Sequence, residues 1–93
     1  MTQPRYTVGL TRSARHALAE KLPLDVAAGA VEFFAGPLSA DPHRVGKPLD
    51  APLDGICSAR LMREWRVLYV VDDEKNVVTV RGIVHRRDAY RSG

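Results

Sequence analysis

The chain is 93 residues long, with 45% hydrophobic and 27% charged side chains. That length supports one core burying roughly 60–65% of the chain's surface and excludes two independent ones, so residues 1–93 read as a single domain, and the composition excludes a disordered or fibrous chain. Its 14 Lys and Arg against 11 Asp and Glu give a formal charge of +3, which admits nucleic acid or another acidic partner, and its single cysteine, Cys57, excludes an intramolecular disulfide and a multi-cysteine zinc site.

Tyr6-Thr7-Val8-Gly9-Leu10 alternates apolar and small residues and predicts a short first strand. A helix follows, capped by Thr11 or Ser13, with Ala14, Ala17, Leu18 and Leu22 on its inner stripe and Pro23 ending it. A second helix starts near Leu24-Asp25, with Asp25 accepting free amide protons, carries Val26, Ala30, Phe33 and Phe34 inward, and stops at Gly36-Pro37. So short a link folds the pair back as a hairpin against a common surface, expected to be a sheet. Residues 39–55 hold Pro42, Pro48, Pro52, Gly46 and Gly55 and read as an irregular connector displaying His43, Arg44 and Lys47. Three strand candidates close the chain, at 56–62, 65–72 and 77–84, and their short polar links predict an antiparallel meander. No stretch approaches the roughly 18 apolar residues of a membrane span, so the expectation is a cytoplasmic protein with no membrane contact.

Strand periodicity sorts the side chains. Trp65, Val67, Tyr69 and Val71 share one face and Arg66, Leu68 and Val70 the other; Ser58 and Arg60 point together, while Cys57, Ala59 and Leu61 form the face expected to pack on helices. Across a hairpin Arg60 and Arg66 become near neighbours. Like charges so placed repel, and an anion or a carboxylate must compensate them; a phosphate is one such anion, and a salt bridge to Glu64, Asp72 or Asp88 is the alternative for any one arginine. Beyond the last strand, His85-Arg86-Arg87-Asp88-Ala89-Tyr90-Arg91 offers a titratable ring, a phenol and further guanidiniums, a mixture suited to RNA. The run Asp72-Asp73-Glu74 reads as a solvated turn, not a metal site, because consecutive residues there point apart.

Over nearly its whole length the chain resembles the RelE and ParE toxin superfamily, small messenger-RNA interferases among them. The likeness is sharpest in Arg60-Leu61, in Trp65-Arg66-Val67-Leu68-Tyr69-Val70-Val71-Asp72 and in the His85 to Arg91 run, with Val45 to Leu49 resembling the family's loop. The resemblance implies an α+β fold, in which a twisted antiparallel sheet, one N-terminal strand plus the three-stranded meander, packs on the helix hairpin. It also implies a toxin neutralised by a cognate antitoxin, whose active branch cleaves mRNA in the A site of the 70S ribosome. By matching motif, Arg66 takes the place of the arginine at the scissile phosphate, Arg86 that of the cation near the chain end, and Tyr90 that of the terminal tyrosine.

The implied reaction uses the substrate's own 2′-hydroxyl as nucleophile, so it calls for no metal or other cofactor. It needs a proton acceptor, cations for the phosphorane-like charge and a proton donor for the leaving oxygen. Arg60, Arg66 and Arg86 supply charge. Ser58 and Arg60 stand where the family's best-known members carry lysines, and a guanidinium is a poor base at neutral pH. Base duty is therefore expected of His85, with Tyr90 as acid or stacking platform, and Lys47, Ser58, Arg63, Arg87 and Arg91 as RNA contacts. The same fold also accommodates two other readings, a noncatalytic inhibitor of DNA gyrase and an inactive toxin acting only through its antitoxin.

Overall fold

The computed structural model describes residues 5–89, so Tyr90 and Arg91 lie outside the described residues. The first strand, β1 (Thr7–Leu10), leads into helix α1 (Arg12–His16), whose first free amide is satisfied by the Thr11 hydroxyl, 3.1 Å from the Ala14 nitrogen. The helix widens into a π-type turn (Ala17–Lys21) and ends where Leu22, forced extended by the following Pro23, breaks the ladder. Helix α2 (Leu24–Phe33) starts at once; Pro23 occupies its cap position, and Asp25 lies in the first turn instead of capping it. Gly36-Pro37 does not stop this helix. It runs on as a second π-type turn (Phe34–Leu38), a geometry that accommodates a residue with no N–H to give.

The segment expected to be irregular is partly ordered. It contains a one-turn helix, α3 (Pro42–Val45), with proline at the position where a missing N–H does no harm, and a short strand, β2 (Gly46–Pro48). The meander follows as β3 (Cys57–Leu61), β4 (Trp65–Asp72) and β5 (Val77–His85), and a last helical turn, α4 (Arg86–Ala89), closes the described chain. Asn76 takes φ 56° in the turn before β5, a conformation that asparagine tolerates better than most residues.

The fold is α+β, with five strands in the order β1-β5-β4-β3-β2. The meander is antiparallel, as its short links require, and β2 extends it antiparallel to β3. The expectation of a wholly antiparallel sheet needs one correction, because β1 runs parallel to β5, pairing Thr7 with Val77 and Leu10 with Val80. Period-2 patterning fixes which face a residue takes but not the direction of its strand. The intervening helices and meander supply the long crossover that a parallel pair needs.

One face of the sheet is sealed by the helices. Ala14, Val26, Ala30, Phe34 and Leu38 pack against Ala59, Leu61, Val67, Tyr69, Val78, Val80 and Ile83. The inward residues of β5 break strict alternation, since Val80 and Ile83 are three apart and both are buried. A bulge makes this possible. Pairing with β4 slips between Leu68 and Tyr69, from Leu68 opposite Gly82 to Tyr69 opposite Val80, and the unpaired residue, Arg81, is exposed.

Candidate functional site

The open face of the sheet collects cations. Arg60 and Arg66 are direct cross-strand partners, so their side chains leave the same face side by side, and the next row sets Lys47 beside Ser58 and Ser58 beside Leu68. Together with Arg44 from α3 these groups line a depression of about 340 Å³. The remaining lining residues, Val45, Gly46 and Leu49, are apolar or bare backbone, and no carboxylate is among them. Among the described residues the acid–base side-chain pairs are His43–Asp73 and His85–Glu64, each ionic only when its imidazole is protonated, and neither Arg60 nor Arg66 takes part. The Arg66 guanidinium is steadied by its own strand, donating to the Trp65 carbonyl at 3.0 Å.

The β2 strand beside the depression is held by close packing. Gly46 lies against Tyr69, and a Cβ at that position would collide with the tyrosine hydroxyl and come within 2.9 Å of the Ser58 carbonyl, so no larger residue fits without displacing β2. The same hydroxyl donates to the Pro42 carbonyl at 2.6 Å. Burial pushes the Tyr69 phenol up to about 12, with the nearby Cys57 and Asp41 adding to the shift, and burial alone raises Cys57. At neutral pH both groups are uncharged and serve packing.

His85 does not join this cluster. It pairs with Trp65, on the same face as Val67, and its ring meets the Trp65 indole edge-on with centroids 5.3 Å apart. Nδ1 accepts from the Arg87 amide at 3.2 Å, which leaves Nε2 carrying the hydrogen of the neutral ring, 3.2 Å from Glu64 Oε1. The imidazole lines a separate cavity with Lys21, Leu22, Ile83 and Asp88 on the helix side of the sheet. The expected convergence of His85 with Arg60 and Arg66 is therefore corrected: the bulge at Arg81 shifts the parity of β5 and turns residue 85 to the opposite face.

The other expected contacts divide. Arg86 opens α4, exposed, with its amide donating to the Glu64 carbonyl at 2.6 Å, and Arg87 follows it on the same exposed turn. Arg63 is exposed in the β3–β4 turn, beside Asp25 and Met62 and away from the basic depression. Arg44 is the residue that sequence reasoning passed over, naming it only as displayed on the connector. Its one signal was position, three residues before Lys47 and just after Pro42. Among the described residues no group of three or more His, Cys, Asp and Glu side chains could hold a metal ion.

No family model matches the chain. Toxin RelG of Mycobacterium tuberculosis is 48% identical over 86 residues, covering 92% of this chain and 97% of the relative. The chain belongs to the RelE toxin family. Toxin RelE of the same organism is 43% identical over 86 residues, covering 92% of this chain and 87% of that one. Among solved structures, the RelBE2 toxin-antitoxin complex of Mycobacterium tuberculosis superposes with a TM-score of 0.82 at 46% identity, covering 88% of this chain and 99% of that one. The isolated Escherichia coli RelE toxin, at 24% identity and a TM-score of 0.69, shares the fold over 94% of this chain and 87% of its own. As a RelE-family member the chain thus keeps the family architecture across the described sheet and helices, and no helix among its described residues is long and apolar enough to cross a membrane.

Proposed function

We propose that this RelE-family chain is an endoribonuclease toxin that grips one sugar-phosphate link of mRNA in the Arg44, Lys47, Arg60 and Arg66 depression. The observation that carries the reading is the direct pairing of Arg60 with Arg66 on an open face, with no carboxylate lining the depression they share. Two adjacent guanidiniums repel unless an anion lies between them, and each can donate two parallel hydrogen bonds to phosphate oxygens.

In the proposed reaction the 2′-oxygen bonds to phosphorus, the P–O5′ bond breaks, and the proton lost by the 2′-hydroxyl ends on the departing 5′-oxygen through water. The products are a 2′,3′-cyclic phosphate and a 5′-hydroxyl fragment. Arg60 and Arg66 stay protonated throughout, so their contribution is alignment and stabilisation of the charge that builds on the phosphoryl oxygens. Ser58, between Lys47 and Leu68, supplies a hydroxyl able to bond a phosphate oxygen.

The RelBE2 relative was solved with an antitoxin. For this chain we propose likewise a cognate antitoxin whose acidic groups neutralise the basic face, and a cytoplasmic setting in which the substrate is mRNA held in the ribosomal A site. The test is single-turnover cleavage of ribosome-bound mRNA by Arg66→Ala and Arg60→Ala. Each is expected to fall by about a hundredfold or more, the scale on which one donor to a developing oxyanion acts. Wild-type rates in both variants would reject the site.

A further inference from the structure

Helix α3 is a single turn, and a turn of four residues does not hold itself together in water. Its orientation is set from outside. Pro42 is fully buried and Val45 packs against the core, and apart from the amide bonds from Arg44 and Val45 to the Asp41 carbonyl, at 3.1 and 3.3 Å, two hydrogen-bonded contacts tie the turn to the rest of the molecule. One is the Tyr69 hydroxyl on the Pro42 carbonyl. The other is a surface cluster that the proposed chemistry does not use: His43 Nε2 lies 2.8 Å from Asp73 Oδ1, and the same oxygen accepts from the Tyr6 hydroxyl at 2.6 Å. The Tyr6 and His43 rings meet edge-on with centroids 6.3 Å apart. The Asp73 carboxyl is held below its ordinary range by the Tyr6 and His43 hydrogen bonds, and Tyr6 is correspondingly raised.

We propose that the Tyr6–Asp73–His43 clasp positions Arg44 in the basic depression. Asp73 stands in the turn between β4 and β5, so the clasp ties α3 to the sheet, and consecutive helical residues are about 100° apart around the axis. Fixing the azimuth of the His43 ring on one flank therefore fixes that of Arg44 on the next, and Arg44 lines the depression. His43 and Asp73 are 55% and 61% exposed, so their pair adds little to global stability. Its effect falls on where one cation sits. The inference rests on the RNA-binding reading of that depression, and the three residues are positioning residues, not catalytic ones.

The experiment measures binding of the full chain to a short single-stranded RNA, 2′-O-methylated to block cleavage, by fluorescence anisotropy across a salt series. Alongside it, hydrogen exchange at the Arg44 and Val45 amides follows α3 with no RNA present. His43→Ala and Asp73→Ala are expected to speed that exchange, to weaken binding about threefold to tenfold, and to lower the log–log salt slope by up to about 0.7, the share of one phosphate contact on a single strand. His43→Gln, which keeps a donor for Asp73, should restore both readouts, and His43→Ala should add nothing to Arg44→Ala. Unchanged exchange in both alanine variants overturns the clasp. So does unchanged RNA affinity and slope in them while Arg66→Ala loses binding, or a His43→Gln variant as weak as His43→Ala. If Arg66→Ala itself binds RNA as the wild type does, the functional reading fails instead, and exchange alone decides whether the clasp holds α3.

Discussion

The two faces of the central strand pair are made from alternate residues of the same short segments, yet they have opposite properties. Ala59, Leu61, Val67 and Tyr69 are closed under the helices, whereas Ser58, Arg60, Arg66 and Leu68 stay accessible. The closed face tolerates no charge because the helices exclude water from it. The open face carries a like-charged pair with no protein counter-ion among the described residues, an arrangement at odds with stability alone. A sheet one layer deep thus separates the work of folding from the proposed work of binding by the direction of a side chain, and a change of one position along the strand should exchange one kind of damage for the other.

The largest expected effect breaks that comparison directly. Val67→Asp buries a carboxylate with no partner and should destabilise the fold by more than about 4 kcal/mol, a large share of the roughly 5–15 kcal/mol that holds a domain together. Leu68→Asp, one residue on, places its charge on the open face beside Ser58 and should fold. Its loss is expected in RNA affinity, since it brings a carboxylate to the edge of the cation cluster. Urea denaturation of both variants, with RNA binding for the second, checks the pair; equal stability of the two would erase the distinction between the faces.

A smaller effect sharpens the comparison where the faces meet, at the contact between β2 and Tyr69. Gly46→Ala forces a methyl group into the tyrosine hydroxyl and should destabilise by about 1–3 kcal/mol. Tyr69→Phe deprives the Pro42 carbonyl of its donor at a similar penalty of about 1–3 kcal/mol. Combined, the two should do less harm than their sum, because removing the hydroxyl removes the nearest obstacle to the methyl group and leaves the Ser58 carbonyl as the remaining one. The folded-state pKa of Tyr69 is raised, from 10.0 to about 12, so its contribution is fully present below 10 and is lost as pH rises through 12. The stability difference between wild type and Tyr69→Phe should accordingly shrink across that alkaline window in denaturation measured at several pH values.

Much of this was legible in the residues. Alternation in 65–71 and 57–61 assigned both faces of β3 and β4, and a short polar link brought Arg60 near Arg66, because strand parity is a local property. The register needed one correction: β3 ends at Leu61, Met62 joins the turn at φ 57°, and this three-residue link, not the expected Arg63-Glu64 pair, sets Arg60 opposite Arg66. Three features were not local. The direction of β1 depends on the path of the chain between it and β5. The order in 42–48 depends on Tyr69, far along the sequence, bonding to Pro42 and packing on Gly46. The bulge at Arg81 depends on how β5 registers against β4, and nothing but the three-residue spacing of Val80 and Ile83 announces it. The functional consequence fell on His85, because a strand without the bulge would have carried residue 85 to the face of Arg66.

That displacement yields the smallest expected effect and the most direct test of the geometry. His85→Ala removes an edge-on contact with Trp65 and a partly exposed bond to Glu64. Neither touches the basic depression. Cleavage by His85→Ala should therefore stay within about threefold of wild type, far from the hundredfold loss expected for Arg66→Ala, because a general base acts only within hydrogen-bond reach of its proton, directly or through one water. Stability should drop by no more than about 1 kcal/mol, the scale of a partly exposed ion pair. The comparison is cleanest as a ratio of single-turnover rates for the two variants on the same substrate. A His85→Ala loss as deep as that of Arg66→Ala would mean that the imidazole reaches the scissile link from the helix side, and the division of labour between the two faces would have to be redrawn with the substrate wrapped around the sheet end at Trp65.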